Sequence, residues 1–521
     1  MKKSDLLILL FTELSLLFSV ISLQNCVPAL KVDKICDLGD SGKYIRDAFI
    51  LRTTTNQEFY CNVRIRDRVS STGTPTGSPQ LTAPTISFTK TLYSGFVNEP
   101  YNITPTVGGD PLSSCTVAPA LPAGLNISAT TCAITGTATT AAAGPGASYT
   151  ITATNSFGSV TASTKIKVVG TNAFRVYGQG GSFTTGSANN PSQSENSLNN
   201  PRGVAIDPID NVYISDALNR RVLFYSGTST TATRVYGQAN YTSAGSGCSI
   251  TTLGNGSGQL RGIAVDSNFN LYIADFNGNR VLRYPNGSTT PNKVFGQADN
   301  YGTCIGSAAI DNFSGPFSVF IDSSANMYIS ENQSNRVLFY PSGAVLPTLI
   351  YGQPAGNFTC QQSNSASGSC SGAGVGAFGL ALLGSAMANA TQVFIVDQNS
   401  RVKIHTIGNT TASIFIGQTS DITTLTGATS NRFTGAETAN LDSEGNLYVA
   451  DSVNHRVMIF KPPFTTNMNA TYVLGQGASL TNFTAVSATT INQFSNPAHA
   501  AFDSFGNVYI SDRGNNRVLV F

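Results

Sequence analysis

The most regular polar pattern in the sequence is an acidic residue followed a few positions later by an arginine. The spacing is five residues in five copies and four residues in one copy. The six pairs are Asp216/Arg221, Asp275/Arg280, Glu331/Arg336, Asp397/Arg401, Asp451/Arg456 and Asp512/Arg517. A carboxylate that accepts hydrogen bonds from an arginine and from backbone N–H groups can fix a turn. Because a catalytic constellation is needed once and this pair recurs six times, we interpret the pairs as parts of a scaffold.

Each pair belongs to a phrase of about 60 residues that recurs from about Phe174 to Phe521. In its clearest copy the phrase contains the segments Pro201-Arg-Gly-Val-Ala-Ile-Asp207, Asn211-Val-Tyr-Ile-Ser-Asp216, Arg221-Val-Leu-Phe-Tyr225 and Arg234-Val-Tyr-Gly-Gln238. The four alternating runs predict four short strands, which we name a to d. A long period with four strands per unit is typical of a propeller blade.

The Gly-Gln pair that ends strand d shows how the repeats connect. Its first copy, Phe174 to Gln179, precedes any a–b–c set, and the last set stops at Phe521 without a strand d. The N-terminal copy is therefore predicted to supply strand d of the last blade, which leaves no open sheet edge. The phrases resemble NHL repeats, and this resemblance implies a six-bladed β-propeller over residues 174–521. In the fourth copy strand a is expected near Gly379–Leu383, where the acid that ends strand a elsewhere is missing.

Residues 85–169 contain short strand-like runs with turn residues between them. Leu121-Pro-Ala-Gly-Leu-Asn-Ile127, Ala133-Ile-Thr-Gly-Thr137 and Asn155-Ser-Phe-Gly158 occur there in that order. This segment resembles the Putative Ig modules of bacterial surface proteins, which implies an Ig-like β-sandwich that serves as a spacer or adhesion unit. The expected fold class is therefore all-β, an Ig-like module followed by a propeller.

The first 26 residues have the composition of an export signal. Two lysines precede an apolar stretch that ends in Leu23-Gln24-Asn25-Cys26. This ending resembles a bacterial lipobox, so we expect residues 1–26 to be a signal peptide and Cys26 to carry a lipid. Residues 27–69 form a small segment without a recognisable fold, and residues 70–84 are a Gly/Pro/Ser/Thr linker.

The cysteine count agrees with export, because nine cysteines become eight once Cys26 is lipidated. Eight cysteines in an oxidising compartment favour disulfides. The natural local pairs are Cys36–Cys61, Cys115–Cys132 and Cys360–Cys370, and Cys248–Cys304 is expected to bridge neighbouring repeats. Charged residues make up only 11% of the chain and the net charge is +2, and no basic cluster is present, so nucleic acid is not an expected partner.

Candidate binding residues lie where the repeats differ from one another. The loops between strands d and a are long, and long loops on a rigid scaffold often carry binding surfaces. These loops are Ala239–Gln259, Ala298–Gly315, Pro354–Ala377, Thr419–Thr434 and Gly477–Asn496. They hold Cys248, Cys304, Cys360 and Cys370, and disulfides would stiffen them.

One variable position near the start of strand a is occupied by Arg202, Arg261, Phe317, Glu437 and Ala498, and His499 follows the last of these. Arg202 and Arg261 fall in adjacent blades near the predicted channel mouth, where they could hold an anionic group such as a carboxylate. The alternative is a pair of solvated arginines on a rim. The candidate ligand-binding residues are Arg202, Arg261, Phe317, Glu437 and His499.

Catalytic chemistry has little support in the sequence. Some NHL-type propellers are lyases that hold a metal with several inward-facing histidines, but only His499 is placed near the channel, because His405 falls on a strand c and His455 in a b–c turn. No Cys/His spacing typical of zinc, no Gly-x-Ser-x-Gly elbow with a suitable histidine and no Walker-type loop is present. We therefore predict no catalytic residue and no cofactor.

These patterns together predict an exported, lipid-anchored bacterial surface protein, monomeric, that binds a protein or glycan through its d–a loops without catalysis. Two alternatives stay open at this point. The propeller could be a lyase or hydrolase with Ca²⁺ or Zn²⁺ in its channel, or it could be a scaffold for other envelope proteins.

Overall fold

The computed structural model describes residues 82–521 apart from 142–143, 145, 257–258, 355, 362–378, 382–383, 398 and 421. The predicted signal peptide with Cys26, the segment 27–69 with Cys36 and Cys61, linker residues 70–81 and Cys370 lie outside the described residues. The described chain is all-β, with four short 3-10 turns at Gln179–Gly181, Ala217–Asn219, Ser452–Asn454 and Arg513–Asn515. A helix able to span a membrane is not found in this part of the chain.

Nine strands form the N-terminal module. They are β1 (Thr85–Ser87), β2 (Leu92–Phe96), β3 (Pro100–Ile103), β4 (Thr106–Gly108), β5 (Ser114–Ala118), β6 (Leu125–Ile127), β7 (Ile134–Thr137), β8 (Ala147–Asn155) and β9 (Gly158–Val169). Sheets of the orders β2-β9-β8-β5 and β3-β7-β6 pack around one core, and β1 pairs with β4. Alternation of buried and exposed residues along β8 matches a strand with one face in a core.

A disulfide ties this module together between Cys115 on β5 and Cys132 beside β7. Both cysteines are buried in the module's core. Thr82, assigned above to the linker, belongs to this module, because its backbone N–H donates to Asp110 and its carbonyl accepts from Asn155. This disulfide and the one between Cys248 and Cys304 are pairs predicted from the sequence, and they suggest an extracellular environment. Cys360 is also disulfide-bonded.

Six four-stranded antiparallel sheets follow in residues 175–520. Sheet 1 contains β11 (Pro201–Ile206), β12 (Val212–Asp216), β13 (Arg221–Tyr225) and β14 (Arg234–Tyr236); sheet 2 contains β15 (Leu260–Val265), β16 (Leu271–Asp275), β17 (Arg280–Tyr284) and β18 (Lys293–Phe295); sheet 3 contains β19 (Pro316–Ile321), β20 (Met327–Glu331), β21 (Arg336–Tyr340) and β22 (Leu349–Tyr351). Sheet 4 contains β23 (Ala386–Ala388), β24 (Gln392–Asp397), β25 (Arg401–Thr406) and β26 (Ile414–Ile416); sheet 5 contains β27 (Ala436–Leu441), β28 (Leu447–Asp451), β29 (Arg456–Phe460) and β30 (Tyr472–Leu474). Sheet 6 contains β31 (Pro497–Phe502), β32 (Val508–Asp512) and β33 (Arg517–Val520), and its outer strand is β10 (Arg175–Tyr177) from the start of the region.

The first strands of the six sheets contact one another in the order β11, β15, β19, β23, β27, β31 and back to β11. Between each pair of neighbouring sheets lies one buried hydrophobic cluster. A four-stranded sheet cannot bury both of its faces alone, so the stacking of neighbours supplies the core. Pairing of Val176 on β10 with Leu519 on β33 joins the two ends of the region.

The acid–arginine pairs lie at the b–c turns, and all twelve side chains are fully buried. In sheet 1 the Arg221 Nε donates to Asp216 Oδ2 at 2.7 Å, and the other Asp216 oxygen accepts the backbone N–H of Asn199 at 2.6 Å. Asn219 donates a further bond to the same carboxylate at 2.8 Å. The carboxylate is therefore held by an arginine, a side-chain amide and a loop backbone, as the scaffold interpretation predicts.

In five of the six pairs the arginine nitrogens beyond Nε donate to loop carbonyls, whereas Arg401 Nη2 donates to Asp397 Oδ2 at 2.9 Å. Arg221 donates to Ser194 and Ser197 in the loop before its sheet, and to Tyr241 in the loop after it. Arg517 makes the corresponding bonds, because it donates to the carbonyls of Thr490 and Gln493 in the loop before its sheet. Its other loop lies at the start of the repeat region, where Arg517 donates to the carbonyl of Phe183. The buried arginine thus joins consecutive d–a loops to one sheet.

The glutamine of the Gly-Gln pair has an equally regular role. Its Nε2 donates to the carbonyl of the residue just before the buried arginine, and that residue has φ between 50 and 59° in all six copies. The six bonds are Gln179 to Asn516, Gln238 to Arg220, Gln297 to Asn279, Gln353 to Asn335, Gln418 to Ser400 and Gln476 to His455. The end of strand d is thereby fixed to the b–c turn.

The fourth repeat departs from the prediction. Strand a was expected near Gly379–Leu383, but β23 occupies Ala386–Ala388. Asn389 follows β23 and accepts the backbone N–H groups of Thr391 and Gln392 at 2.9 and 2.8 Å. It therefore fills the place of the acid that caps the a–b turn in the other repeats. The expectation was wrong because asparagine can make the same Asx turn without being an acid.

The N-terminal module packs against the a–b turns of sheets 5 and 6 and against β30 of sheet 5. Phe96 stacks on Tyr472 with ring centroids 4.3 Å apart, and Lys167 donates to Asn507 at 2.8 Å. Lys167 is 1% exposed, and burial lowers its pKa to about 8. A buried lysine and a shared aromatic core indicate a fixed interface rather than a loose tether.

We expect Arg221→Ala to lower the free energy of unfolding by about 3–5 kcal/mol, because it leaves the Asp216 carboxylate buried without its cation. Denaturant unfolding followed by circular dichroism measures this. Arg283→Ala is the matched control, since Arg283 lies at the other end of the same type of strand and is only partly buried. Equal losses in the two variants would contradict the scaffold role of the pair.

Candidate functional site

A cavity of about 270 Å³ lies between the first strands of all six sheets. Its walls come from β11, β15, β19, β27 and β31 and from the start of β23. Strand a of each repeat begins at the d–a loop and runs to the a–b turn, so one end of this cavity faces the d–a loops and b–c turns. We call that side of the repeat region the loop face.

A β-bulge at the start of strand a positions the candidate residues. The register between strands a and b shifts at this point in sheets 1, 2, 3, 5 and 6. The shifted positions contain Arg202, Arg261, Phe317, Glu437 and Ala498. A bulge leaves its extra residue out of the ladder and redirects its side chain, which explains why this one position differs between repeats. Gly203 and Gly262 follow two of these residues, and a Cβ at either would meet the neighbouring strand at 2.9 Å or less.

The structure brings all five sequence-predicted residues to this cavity: Arg202, Arg261, Phe317, Glu437 and His499 line it. Glu437 Oε1 pairs with Arg202 and, at 3.5 Å, with Arg261. The Arg202 side chain is 8% exposed and that of Arg261 is 17% exposed. The alternative of solvated rim arginines is therefore wrong, because the two side chains are held inside the cavity by a shared carboxylate.

Aromatic rings and an amide complete the surroundings of the two arginines. The Arg261 guanidinium lies 4.9 Å from the ring of Phe276 and 5.0 Å from that of Phe317, which is the distance of a cation–π contact. Arg202 also donates to Gln259 Oε1 at 3.2 Å. Burial lowers the pKa of Arg202 to about 9 and that of Arg261 to about 10, although Glu437 opposes the shift in both.

Arg513 is the functional candidate that sequence reasoning missed. It stands in the b–c turn of sheet 6, and its guanidinium lies 3.5 Å from Glu437 Oε2 and 3.1 Å from Ser452 Oγ. The residue after the scaffold acid is Ala217, Phe276, Asn332 or Ser452 in other repeats. A basic residue at that variable position was a usable signal, and so was the aromatic Phe276.

His499 also lines the cavity and is partly buried. Burial lowers its pKa to about 4, with Glu437 and a hydrogen bond to the Val204 backbone acting in the opposite direction. His499 is therefore neutral at pH 7 and adds no charge. The cluster of Arg202, Arg261, Arg513 and Glu437 retains three cations against one carboxylate.

The other two histidines do not join the site. His405 lies on β25 with no exposed surface, and His455 lies between β28 and β29, where its Nδ1 accepts the backbone N–H of Asn496 at 3.0 Å. Within the described ranges, no three His, Cys, Asp or Glu side chains are close enough together to hold a metal ion. The donors at the cavity do not fit a resident Ca²⁺ or Zn²⁺ site, since Glu437 and His499 are faced by three arginines.

The loop face also exposes aliphatic side chains. Seven of the twelve exposed large apolar residues in the described chain lie on its d–a loops or b–c turns: Leu218, Ile250, Ile305, Ile422, Leu425, Val453 and Val486. Ile305 and Ile422 are 64% and 68% exposed. The disulfide between Cys248 and Cys304 joins two of these loops. The loop face therefore combines a basic cavity with a stiffened surface that carries apolar groups.

Comparison with known proteins identifies one part of the chain. Residues 75–169 match the family model described as Putative Ig domain. The match begins within the linker predicted at 70–84. No curated protein matches the chain.

Several solved structures resemble the chain at low identity. A gluconolactonase from Xanthomonas campestris is 10% identical, with 67% of this chain and 97% of that chain covered and a TM-score of 0.39. A virginiamycin B lyase from Staphylococcus aureus, solved with quinupristin, is 10% identical over 81% of this chain and 98% of that chain, with a TM-score of 0.36. A streptogramin B lyase is 9% identical over 62% and 94%, with a TM-score of 0.35. These proteins have propeller-type folds, but because fold does not imply function their activities are not transferred to this chain.

We expect His499 to make the protein less stable as the pH falls from about 6.5 towards 4. In this window the unfolded chain binds a proton at His499, whose ordinary pKa is 6.5, while the folded chain does not. The free energy of unfolding should fall by at most about 1.4 kcal/mol per pH unit on this account. Urea unfolding at pH 7 and 4.5 should show a smaller difference for His499→Gln than for the unchanged protein. The same difference in His499→Gln as in the unchanged protein would contradict the assignment.

Proposed function

We propose that the chain is an exported surface protein, lipidated at Cys26, whose residues 174–521 form a six-bladed NHL-type propeller. Its loop face binds a protein or glycan without catalysis. The blade count is supported by the order of contacts among the six first strands and by the pairing of β10 with β33. The NHL resemblance rests on the repeated phrases and agrees with the regular roles of their acid, arginine and glutamine.

One observation carries the binding function: Arg202, Arg261 and Glu437 line the cavity, and Arg513 in a b–c turn of the loop face also pairs with Glu437. Arg202 and Arg261 are mostly buried there, and an arginine presents a planar array of donors suited to an anion. Side chains held in a rigid ring by packed strands need little ordering when a ligand arrives, which favours binding.

A metal-dependent lyase or hydrolase is the less favoured function. The three arginines create a positive field that repels a cation, and the only carboxylate in the cluster is already paired with them. The donors suit an anionic group of a ligand better than a metal ion. A scaffold for envelope proteins remains a variant of the binding function, in which the ligand comes from the same cell.

The lipid anchor predicts that a palmitate analogue supplied to growing cells labels the unchanged protein but not Cys26→Ala. The reason is that the lipid would be attached to Cys26. Cys36→Ala is the matched control and should keep the label. Gel fluorescence after click coupling measures the result, and persistent labelling of Cys26→Ala would show that the lipobox assignment is wrong.

For the binding function we expect the double variant Arg202→Gln, Arg261→Gln to lose affinity by about tenfold or more for a ligand found on arrays of extracellular proteins and glycans. Arg283→Gln, which is remote from the cavity, should bind as the unchanged protein does. Surface plasmon resonance with the immobilised full chain measures the affinities. Unchanged affinity of the double variant would show that the cavity does not bind the ligand. A stoichiometric Ca²⁺ or Zn²⁺ whose removal abolished a turnover would overturn the non-catalytic proposal.

A further inference from the structure

We infer that the cluster of Arg202, Arg261, Arg513 and Glu437 is a socket for a carboxylate side chain of a protein partner. The inference rests on the proposed function, since it uses the same face. The partner inserts one Asp or Glu side chain among the arginines. The exposed aliphatic residues of the loop face then contact apolar surface around that side chain.

Charge is the first argument. Glu437 offers two oxygens to three guanidinium groups: Oε1 to Arg202 and Arg261, and Oε2 to Arg513. Two of these contacts are at 3.5 Å, which is long for a charge-assisted hydrogen bond. Glu437 therefore pairs closely with Arg202, whereas its contacts with Arg261 and Arg513 are longer than a strong hydrogen bond.

Unused donors are the second argument. The Nε groups of Arg202 and Arg261 are buried and have no hydrogen-bond partner among the described protein atoms. More than nine-tenths of the Arg202 side chain is buried, and it lines the cavity. An unsatisfied buried donor costs free energy, so the two guanidinium groups are not fully paired in the free protein. A carboxylate is the acceptor that matches the paired N–H groups of one guanidinium.

Size is the third argument. The cavity of about 270 Å³ is below the range of roughly 300–1,000 Å³ for sites of drug-sized ligands. It can admit a single side chain or a single sugar ring, but not a larger molecule. The ligand must therefore keep most of its mass outside, on the loop face.

The surface outside the cavity favours a protein over a glycan. Ile305, Ile422 and Leu425 are more than half exposed, and Val453 adjoins Gly435 at the start of β27. Exposed apolar groups on a surface mark interaction sites, and arginine is enriched at protein–protein interfaces. A glycan would leave these side chains without apolar partners, and the two aromatic rings near the mouth, Phe276 and Phe317, already pack on Arg261.

The test selects ligands from a displayed library of random peptides on the immobilised full chain. We expect the selected peptides to share one Asp or Glu flanked by apolar residues. Their affinity should fall about tenfold or more in Arg202→Gln and in Arg513→Gln, and should not change in Arg283→Gln. Because Arg513 is partly exposed in a turn, Arg513→Gln keeps the test valid if Arg202→Gln fails to fold.

Glu437→Gln separates a binding cluster from a purely structural one. Glu437→Gln removes the carboxylate that now pairs with the arginines. The carboxylate of a selected peptide can then pair with them without competition, so its affinity should rise about fivefold or more. A structural ion network instead predicts a lower unfolding temperature with no gain in affinity. The second result would overturn the inference.

Competition distinguishes the inference from the proposed function. Capped glutamate, glucuronate and inorganic phosphate are added against a selected peptide, and capped glutamate should compete. If the loop face bound glucuronate-bearing oligosaccharides and no acidic peptide, the protein-partner inference would fail while the proposed function stood. If Arg202→Gln changed the binding of neither peptides nor glycans, the inference and the proposed function would both fail.

Discussion

In five of the six buried pairs the arginine divides its three nitrogens among an acid, the loop before its sheet and the loop after it. An ion pair with no exposed surface is costly to desolvate, and it persists only when the remaining donors are also satisfied. Here the loop carbonyls supply those acceptors. The backbone of the long d–a loops is thereby paired in the way that buried backbone requires, and the loop face becomes a fixed surface although it contains little regular structure.

Once the repeated residues hold the loops, the bulged residue of strand a is free to differ. It takes no part in the ladder between strands a and b. Arg202, Arg261, Phe317 and Glu437 occupy that position in four sheets and line one cavity, which lies between the first strands of the sheets. Scaffold and site are thus separate residues of one repeat.

This separation explains what the sequence could predict. Aligning the copies predicts the strands of the clear repeats and the residues that vary at the bulge. Those variable residues do line one cavity in the structure. Arg513 was missed because its relevance depends on a distance between a turn of sheet 6 and a strand of sheet 5, which alignment does not contain. Strand a of the fourth repeat was misplaced because Asn389 makes the turn that an acid makes elsewhere. Burial of Arg202 could not be foreseen either, since it depends on Glu437, 235 residues away.

The Ig-like module adds a constraint on how the loop face is presented. Its contacts with sheets 5 and 6 include the a–b turns, at the end of the strands opposite the loop face, and Tyr472 on β30. Lys167 is buried in that interface and is satisfied by Asn507 and by the carbonyl of Gly144. Rotation of the module would leave this amine buried without acceptors, a cost that opposes a hinge. The module therefore behaves as a rigid extension of the repeat region. Its contacts with the side opposite the loop face fix how the loop face is oriented relative to the module.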